Sequence, residues 1–145
     1  MSEKNYDPRM HTAEHILNQT MVRKYSCGRA FSSHIEKKKS KCDYRIGHAL
    51  SDAEVVEIEK TVSSVIASNV DITEGYVSRQ EAAQFLDLSK LPADAPDSIR
   101  VIRVGDYDAC ACIGPHVKNT SEIGVFKIIS SDFNDGVVRL RFKLE

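Results

Sequence analysis

Two histidines four residues apart are the feature that most constrains this chain. His11 and His15 enclose Thr-Ala-Glu, and residues four apart lie on one face of a helix, where two imidazoles can bind one metal ion together. Much further along the chain, Cys112 and His116 enclose Ile-Gly-Pro, which places a thiolate and a third imidazole beside a turn. Three imidazoles and one thiolate are a normal zinc ligand set. A chain that uses all four must fold its first helix against this distant corner.

Each half of this set is a weak signal alone. Histidines at this spacing occur by chance on surface helices, and with 5 His and 4 Cys in 145 residues a chance combination is the alternative to zinc. If zinc binds, we expect His11, His15 and Cys112 to be firm ligands. His116 is then either a displaceable fourth ligand or a proton shuttle, so the candidate catalytic residues are His11, Cys112 and His116.

Composition restricts the class of protein. The net charge of −1 gives no overall field to hold a polyanion, so we expect no DNA coating and only local contact with any nucleic acid. No apolar run approaches the ~18 residues of a membrane span, and Met1–Tyr6 lacks the apolar core of a signal peptide. We therefore expect a cytoplasmic protein without membrane contact, built as one domain over residues 1–145.

The four cysteines are expected to be reduced in that compartment. Cys110 and Cys112 are two apart on a predicted strand, where an unstrained disulfide is unfavourable. We interpret Cys27 and Cys42 as small buried hydrophobic residues. Cys110 is either a core residue, which we favour, or a spare thiol near the metal.

Capping and periodicity predict the order of elements. Asp7-Pro8 starts a helix that runs to about Lys24 and stops before Gly28, and Ser51 caps a second helix that runs to about Asn69. Ser78 caps a short helix through Phe85-Leu86, and two prolines mark a loop at Leu91–Asp97. The predicted strands are Phe31–Glu36, Lys41–Ile46, Asp71–Val77, Ser98–Val104, Tyr107–Ile113, Gly124–Ser131 and Val137–Leu144, the last two joined by a turn at Asn134–Gly136. The predicted fold class is α+β: two longer helices packed on a mostly antiparallel sheet in a single two-layer domain.

The sequence as a whole resembles a known family, the editing (second additional) domain of alanyl- and threonyl-tRNA synthetases and its free-standing AlaX-type trans-editing relatives. The resemblance covers most of the chain and is carried by an ordered series of motifs rather than by one. These are His11-Thr-Ala-Glu-His-Ile-Leu17, Ser33-His-Ile, Lys39-Ser-Lys-Cys-Asp-Tyr44, the helix capped at Ser51, and Cys112-Ile-Gly-Pro-His-Val-Lys-Asn-Thr-Ser-Glu-Ile-Gly-Val-Phe-Lys-Ile128.

The resemblance implies hydrolysis in trans of an amino acid wrongly attached to the acceptor end of a tRNA, by a zinc-activated water. It assigns His11, His15, Cys112 and His116 to the family's metal positions. Pro115 is similar to the threonyl-type motif, whereas Asn119-Thr120 and Glu122–Lys127 are similar to the alanyl type. The implied substrates are therefore Ser- or Gly-tRNA(Ala), or Ser-tRNA(Thr).

Further residues are candidates for substrate binding. Thr12, Ser33 and Thr120 offer hydroxyls near the matched motifs, and Lys37, Lys38 and Lys39 form a basic cluster that could contact tRNA phosphates. Each has an ordinary structural alternative as a cap, a turn or a solvated surface. Two other functions stay open: a non-catalytic zinc-stabilised tRNA-binding module, and a zinc hydrolase of another small ester or amide. A further alternative is a hydrolase that binds no metal, in which His11 and Cys112 position the water.

Overall fold

A computed structural model describes residues 7–84, 86, 97–112 and 114–145. The helices are α1 (Pro8–Tyr25), α2 (Asp52–Ala67) and the short α3 (Arg79–Ala82), with a 3-10 turn at Thr120–Glu122. The strands are β1 (Ser32–His34), β2 (Ser40–Arg45), β3 (Ile72–Ser78), β4 (Ser98–Val104), β5 (Asp108–Ala111), β6 (Phe126–Asn134) and β7 (Val137–Leu144). No helix in these described ranges has the length and apolar character needed to cross a membrane.

The strands divide into two antiparallel sheets. One has the order β1-β2-β7-β6 and the other β3-β4-β5. The α+β class with two longer helices is confirmed; the division into two sheets is a feature that strand patterning does not reveal. Buried residues of α1, α2 and both sheets form one hydrophobic cluster, and α1 packs against α2 and β5 while α2 packs against β6.

Caps set the ends of both long helices. The side chain of Asp7 accepts hydrogen bonds from the backbone N–H groups of Arg9 and Met10, with Pro8 at the first helical position. Ser51 and Glu54 form the predicted capping box at the start of α2. The first helix ends before Gly28, as predicted, but the residue that ends it is Ser26, which adopts the left-handed conformation (φ 54°) and whose N–H bonds to the carbonyl of Val22.

Several strand boundaries also differ from prediction. The Ser40 hydroxyl bonds to both the N–H and the carbonyl of Glu36, which closes a turn and ends β1 at His34. In the final hairpin, Asp135 (φ 53°) and Gly136 (φ 78°) form the predicted turn, so β6 pairs with β7 as far as Asn134. The strand predicted at Tyr107–Ile113 is β5, whose pairing ends at Ala111. Phe85, Ile113 and most of the predicted loop at Leu91–Asp97 lie outside the described residues.

Polar contacts fix α1 between the two sheets. The buried Asn18 side chain accepts hydrogen bonds from the hydroxyl of Tyr44 on β2 (2.8 Å) and from the N–H of Ala30 (3.1 Å). On the opposite side, the Thr20 hydroxyl lies 2.6 Å from the hydroxyl of Tyr107, and Arg23 donates to the Tyr107 carbonyl at 2.8 Å. These contacts hold the first helix beside the β4–β5 hairpin, which leads directly into residues 112–116.

Candidate metal centre

Four side chains from the two ends of the chain converge at this point. His11 and His15 project from α1, while Cys112 and His116 lie on the segment that follows β5, and one potential ligand atom from each lies within 4.8 Å of the other three. The ring centroids of His11 and His116 are 4.2 Å apart, and those of His15 and His116 are 4.4 Å apart. The predicted convergence of the two motifs is therefore present in the fold.

The spacing of the donor atoms suits zinc. With Zn–N bonds of about 2.0–2.1 Å and Zn–S bonds of about 2.3 Å, neighbouring ligand atoms of a tetrahedron lie about 3.3–3.7 Å apart. The Cys112 Sγ atom lies 3.4 Å from His11 Nε2 and 3.4 Å from His116 Nε2. Three imidazoles with one thiolate also match the preference of zinc for nitrogen and sulfur donors.

Backbone and side-chain acceptors orient two of the imidazoles. His11 Nδ1 lies 3.1 Å from the carbonyl of Pro115, and His116 Nδ1 lies 2.9 Å from the Thr12 hydroxyl. The same hydroxyl donates to the Pro8 carbonyl at 3.0 Å and accepts the N–H of Val117 at 3.3 Å. Each ring therefore presents Nε2 to the thiolate, an arrangement typical of metal-binding histidines.

Thr12 thus has a structural function that its motif does not indicate. Its hydroxyl has one donor and two acceptor positions, and its three contacts use all of them, in a side chain that is fully buried. Thr12 supports His116. Its hydroxyl has no hydrogen-bonding position left for the predicted contact with substrate.

The electrostatics of the centre favour a thiolate. Burial by itself raises the pKa of Cys112, but hydrogen bonds with His11, His116 and His15 outweigh this and lower it to about 3. Burial also lowers the pKa of His15, whereas the Asp108 carboxylate and the Cys112 thiolate outweigh it and raise that pKa to about 9. For His116, burial together with the positive charges of its histidine neighbours lowers the pKa to about 4, against the opposing effect of Cys112. At neutral pH the metal-free centre holds a thiolate, a charged His15 and a neutral His116.

Arg100 shapes the segment that carries Cys112 and His116. Its Nη1 atom donates to the carbonyls of Cys112 (3.0 Å) and Gly114 (2.9 Å), and its own carbonyl accepts the N–H of Cys112 at 3.3 Å. A side chain on β4 thereby fixes the backbone of the corner beyond the end of β5.

The centre has a buried side and an accessible side. His11 and His15 on α1 are buried, whereas Cys112 and His116 are partly exposed. A ligand from solution therefore approaches over the corner, past Cys112 and His116. A carboxylate lies beside the His11 ring: the Oε1 atom of Glu14 is 3.8 Å from His11 Nε2.

Other predicted site residues lie on elements that supply no ligand. Ser33 is exposed on the edge strand β1 opposite Cys42, and Lys37, Lys38 and Lys39 are exposed in the turn that follows. Lys39 lines a surface pocket of about 140 Å³ together with Lys41 and Arg141. Thr120 is fully buried, and its hydroxyl donates to the Ile66 carbonyl and accepts the N–H of Val70, so it joins the end of α2 to the 3-10 turn.

The cysteines outside the ligand set are all free thiols. Cys42 is buried, as predicted, whereas Cys27 is only partly buried against the core. Cys110 is partly exposed, which corrects the preference for a core position, and burial raises its pKa to about 12. It therefore stays a neutral thiol beside the Cys112 thiolate.

Sequence reasoning missed the residues that support the ligands. Asp108 lies beside His15 and is itself bound by Arg29 and Gln19, and Arg100 holds the corner. Asp108, Cys110 and Cys112 alternate along the chain, so strand periodicity alone could have placed Asp108 on the face that leads to Cys112.

Comparison with known proteins agrees with this geometry. Residues 99–141, which include Cys112 and His116, match the family described as the threonyl and alanyl tRNA synthetase second additional domain. The predicted resemblance is confirmed, and the match to the second additional domain contains the whole corner that Arg100 holds.

Longer proteins match nearly the full chain. An alanine–tRNA ligase of Fervidobacterium nodosum is 34% identical over 134 residues, which are 91% of this chain and 16% of the relative. One from Staphylothermus marinus is 35% identical over 92% of this chain and 15% of the relative, and one from Methanococcus vannielii is 28% identical over 97% and 17%. The chain thus spans about one sixth (16%) of the length of such relatives, so its similarity concerns one segment of each relative.

Proposed function

We propose that this chain hydrolyses mischarged aminoacyl-tRNA in trans, in the cytoplasm, with Ser- or Gly-tRNA(Ala), or alternatively Ser-tRNA(Thr), as its substrate. One observation carries the proposal: three imidazoles and a thiolate converge in a chain whose relatives are named alanine–tRNA ligases. The partly exposed Cys112 and His116 leave one side of the centre open to the acceptor end of a tRNA.

In this proposal His11, His15, Cys112 and His116 would hold zinc. When bound, zinc would polarise the ester carbonyl and lower the pKa of a water molecule to about 7. Hydrolysis breaks the bond between the acyl carbon and the ribose oxygen, releases the free amino acid and returns a proton to the ribose oxygen. A nearby group must therefore carry a proton from the attacking water to the leaving oxygen.

His116 is the best placed side chain for that transfer. Its Nδ1 atom is bonded to Thr12, so only Nε2 can act as the fourth ligand or as the proton carrier. Burial is the largest cause of the low pKa of His116, which is about 4. With this pKa the ring is neutral at neutral pH and can accept a proton. His116 is also on the accessible side, unlike His11 and His15.

Basic side chains at the end of the four-stranded sheet support tRNA binding. Lys37, Lys38 and Lys39 are exposed, and Lys39 shares its pocket with Lys41 and Arg141. Phosphate contacts of this kind give affinity without base recognition. The choice between tRNA(Ala) and tRNA(Thr) must then come from other contacts.

A second function is favoured by the completeness of the ligand set. Four protein donors within 4.8 Å of one another are the number typical of closed structural zinc sites, whereas catalytic sites keep one position for water. The alternative is a non-catalytic zinc-stabilised tRNA-binding module.

The test is a deacylation assay with Ser-tRNA(Ala), Gly-tRNA(Ala) and Ser-tRNA(Thr), scored as free amino acid, with and without a metal chelator. We expect release that the chelator abolishes and added zinc restores. The Cys112→Ala variant should lose activity by at least about 10²-fold, while Cys110→Ala, two residues away, should keep it. Binding of tRNA without release would support the second function, and turnover of small esters alone would indicate another hydrolase. Activity retained in Cys112→Ala would refute the hydrolase proposed here.

A further inference from the structure

A carboxylate lies behind the one ligand ring whose Nδ1 atom has no hydrogen-bond partner. Asp108 is buried at the start of β5, and its Oδ2 atom lies 3.6 Å from His15 Nδ1. Among the described residues, that nitrogen is the single buried side-chain nitrogen or oxygen atom without a hydrogen-bond partner. A buried N–H group without an acceptor costs about 1–3 kcal/mol. The position of this group opposite a carboxylate therefore indicates a function for the carboxylate.

The carboxylate itself is fixed from its other sides. Arg29 binds Asp108 in a bidentate pair, with Nη1 to Oδ1 at 2.7 Å and Nη2 to Oδ2 at 3.2 Å. Gln19 on α1 donates to Oδ1 at 2.9 Å. Oδ1 thus accepts two hydrogen bonds and Oδ2 accepts one, which leaves Oδ2, the atom nearest His15, able to accept another.

We propose that Asp108 is a positioning residue of the metal centre, which accepts a hydrogen bond from His15 Nδ1–H and so presents Nε2 of His15 to the ion. The separation of 3.6 Å closes to a hydrogen bond by a shift of about 0.5 Å. All three imidazoles would then be oriented in the same way: His11 by the Pro115 carbonyl, His116 by Thr12, and His15 by Asp108. The inference rests on the metal site of the proposed function but not on ester hydrolysis.

A purely structural function for Asp108 makes a different prediction. If Asp108 only compensates the charge of Arg29, its removal lowers stability and leaves zinc affinity unchanged. Asp43 provides the matched control, because it is equally buried and forms a bidentate pair with Arg139 at 2.8 and 3.0 Å. Asp43 lies on β2 between Cys42 and Tyr44, whose side chains belong to the core, so it projects from the opposite face of the four-stranded sheet.

The experiment compares zinc affinity in the full chain carrying Asp108→Asn or Asp43→Asn, by competition with a chelating dye at a temperature where circular dichroism shows each variant folded. We expect Asp108→Asn to weaken zinc binding by about 10- to 100-fold, the effect usual for the partner of a ligand histidine. Asp43→Asn should change it by less than about twofold. In the zinc-loaded protein, the nuclear magnetic resonance signal of His15 Nδ1–H should move in Asp108→Asn and stay in Asp43→Asn.

Each outcome decides the inference. Equal zinc affinity in Asp108→Asn and the unmodified chain, or an equal loss in Asp43→Asn, would overturn it. If Asp108→Asn does not fold, the zinc affinity of Arg29→Lys is measured instead, with Arg139→Lys as its control. A loss of zinc affinity in Arg29→Lys alone is then the supporting result. An unmodified chain that binds no zinc would overturn both this inference and the zinc mechanism. A chain whose zinc affinity depends on Asp108 yet that cleaves no ester would refute the proposed hydrolysis alone.

Discussion

Replacing Thr12 by valine separates support of a metal ligand from contact with substrate. Valine has nearly the same shape but no hydroxyl, so the change leaves His116 Nδ1–H and the Val117 N–H without their acceptor. The carbonyl of Pro8 loses a donor as well. The Thr12 side chain is fully buried, so water cannot replace the lost oxygen in the folded protein.

The size of the effect follows from these contacts. Each buried donor left without an acceptor costs about 1–3 kcal/mol, so two donors cost about 2–6 kcal/mol in the free energy of unfolding. Release of the His116 ring should in addition weaken zinc binding by about 10- to 100-fold. Thr12→Ser keeps the hydroxyl and should retain most of the zinc affinity.

Thr120→Val is the matched control. Thr120 is equally buried and also bonds to one backbone N–H and one carbonyl, but it lies between α2 and the 3-10 turn. Denaturant unfolding, zinc competition and deacylation kinetics should show lost stability in both variants and lost zinc affinity in Thr12→Val alone. If Thr12→Val keeps its zinc affinity and raises only KM, Thr12 contacts the substrate and our interpretation of its hydroxyl is wrong.

The remaining predictions concern pH, charge and the corner. Between pH 6 and 4.5 the Cys112 thiol and most of the His116 rings carry a proton in the unfolded chain, whereas folded pKa values of about 3 and about 4 keep both groups largely unprotonated in the folded protein. His15, whose folded pKa is about 9, offsets a small part of this difference. The metal-free protein should therefore lose about 2 kcal/mol of stability per pH unit on acidification; a flat denaturation midpoint over this range would contradict it. Alanine at Lys37, Lys38 and Lys39 together should weaken tRNA binding and flatten its salt dependence, whereas an unchanged salt slope would make this turn an ordinary solvated surface. Arg100→Gln should weaken zinc binding, because one side chain then no longer holds the carbonyls of Cys112 and Gly114, and affinity equal to the unmodified chain would argue against that support.

The long helices and most strands could be predicted because their signals are local. Ser51 and Glu54 mark a capping box within four residues, and Asp135-Gly136 marks a turn by its left-handed conformations. The predicted ends of elements differed from the structure where a single residue decided them. Ser40 ended β1 early, and Ser26 replaced Gly28 as the end of α1.

Sheet membership could not be predicted, because it depends on contacts between distant strands. β2 pairs with β7, whereas β3, β4 and β5 pair among themselves, and each of these strands shows a similar pattern of apolar residues in the sequence. The division matters for the site, since α1 lies between the sheets and bonds to Tyr44 of one and Tyr107 beside the other.

The ligands and their supports differ in how visible they are in a sequence, for a physical reason. His and Cys are uncommon and their metal chemistry is specific, so their spacing made His11, His15, Cys112 and His116 candidates for one site, and the family resemblance grouped them. The groups that orient them are a carboxylate, a hydroxyl and a backbone carbonyl, which occur throughout any chain. Asp108 and Thr12 acquire their function only when folding places them 3.6 Å and 2.9 Å from a ligand nitrogen. A centre of this kind can therefore be located from its ligands, while its affinity is set by residues that only the tertiary structure identifies.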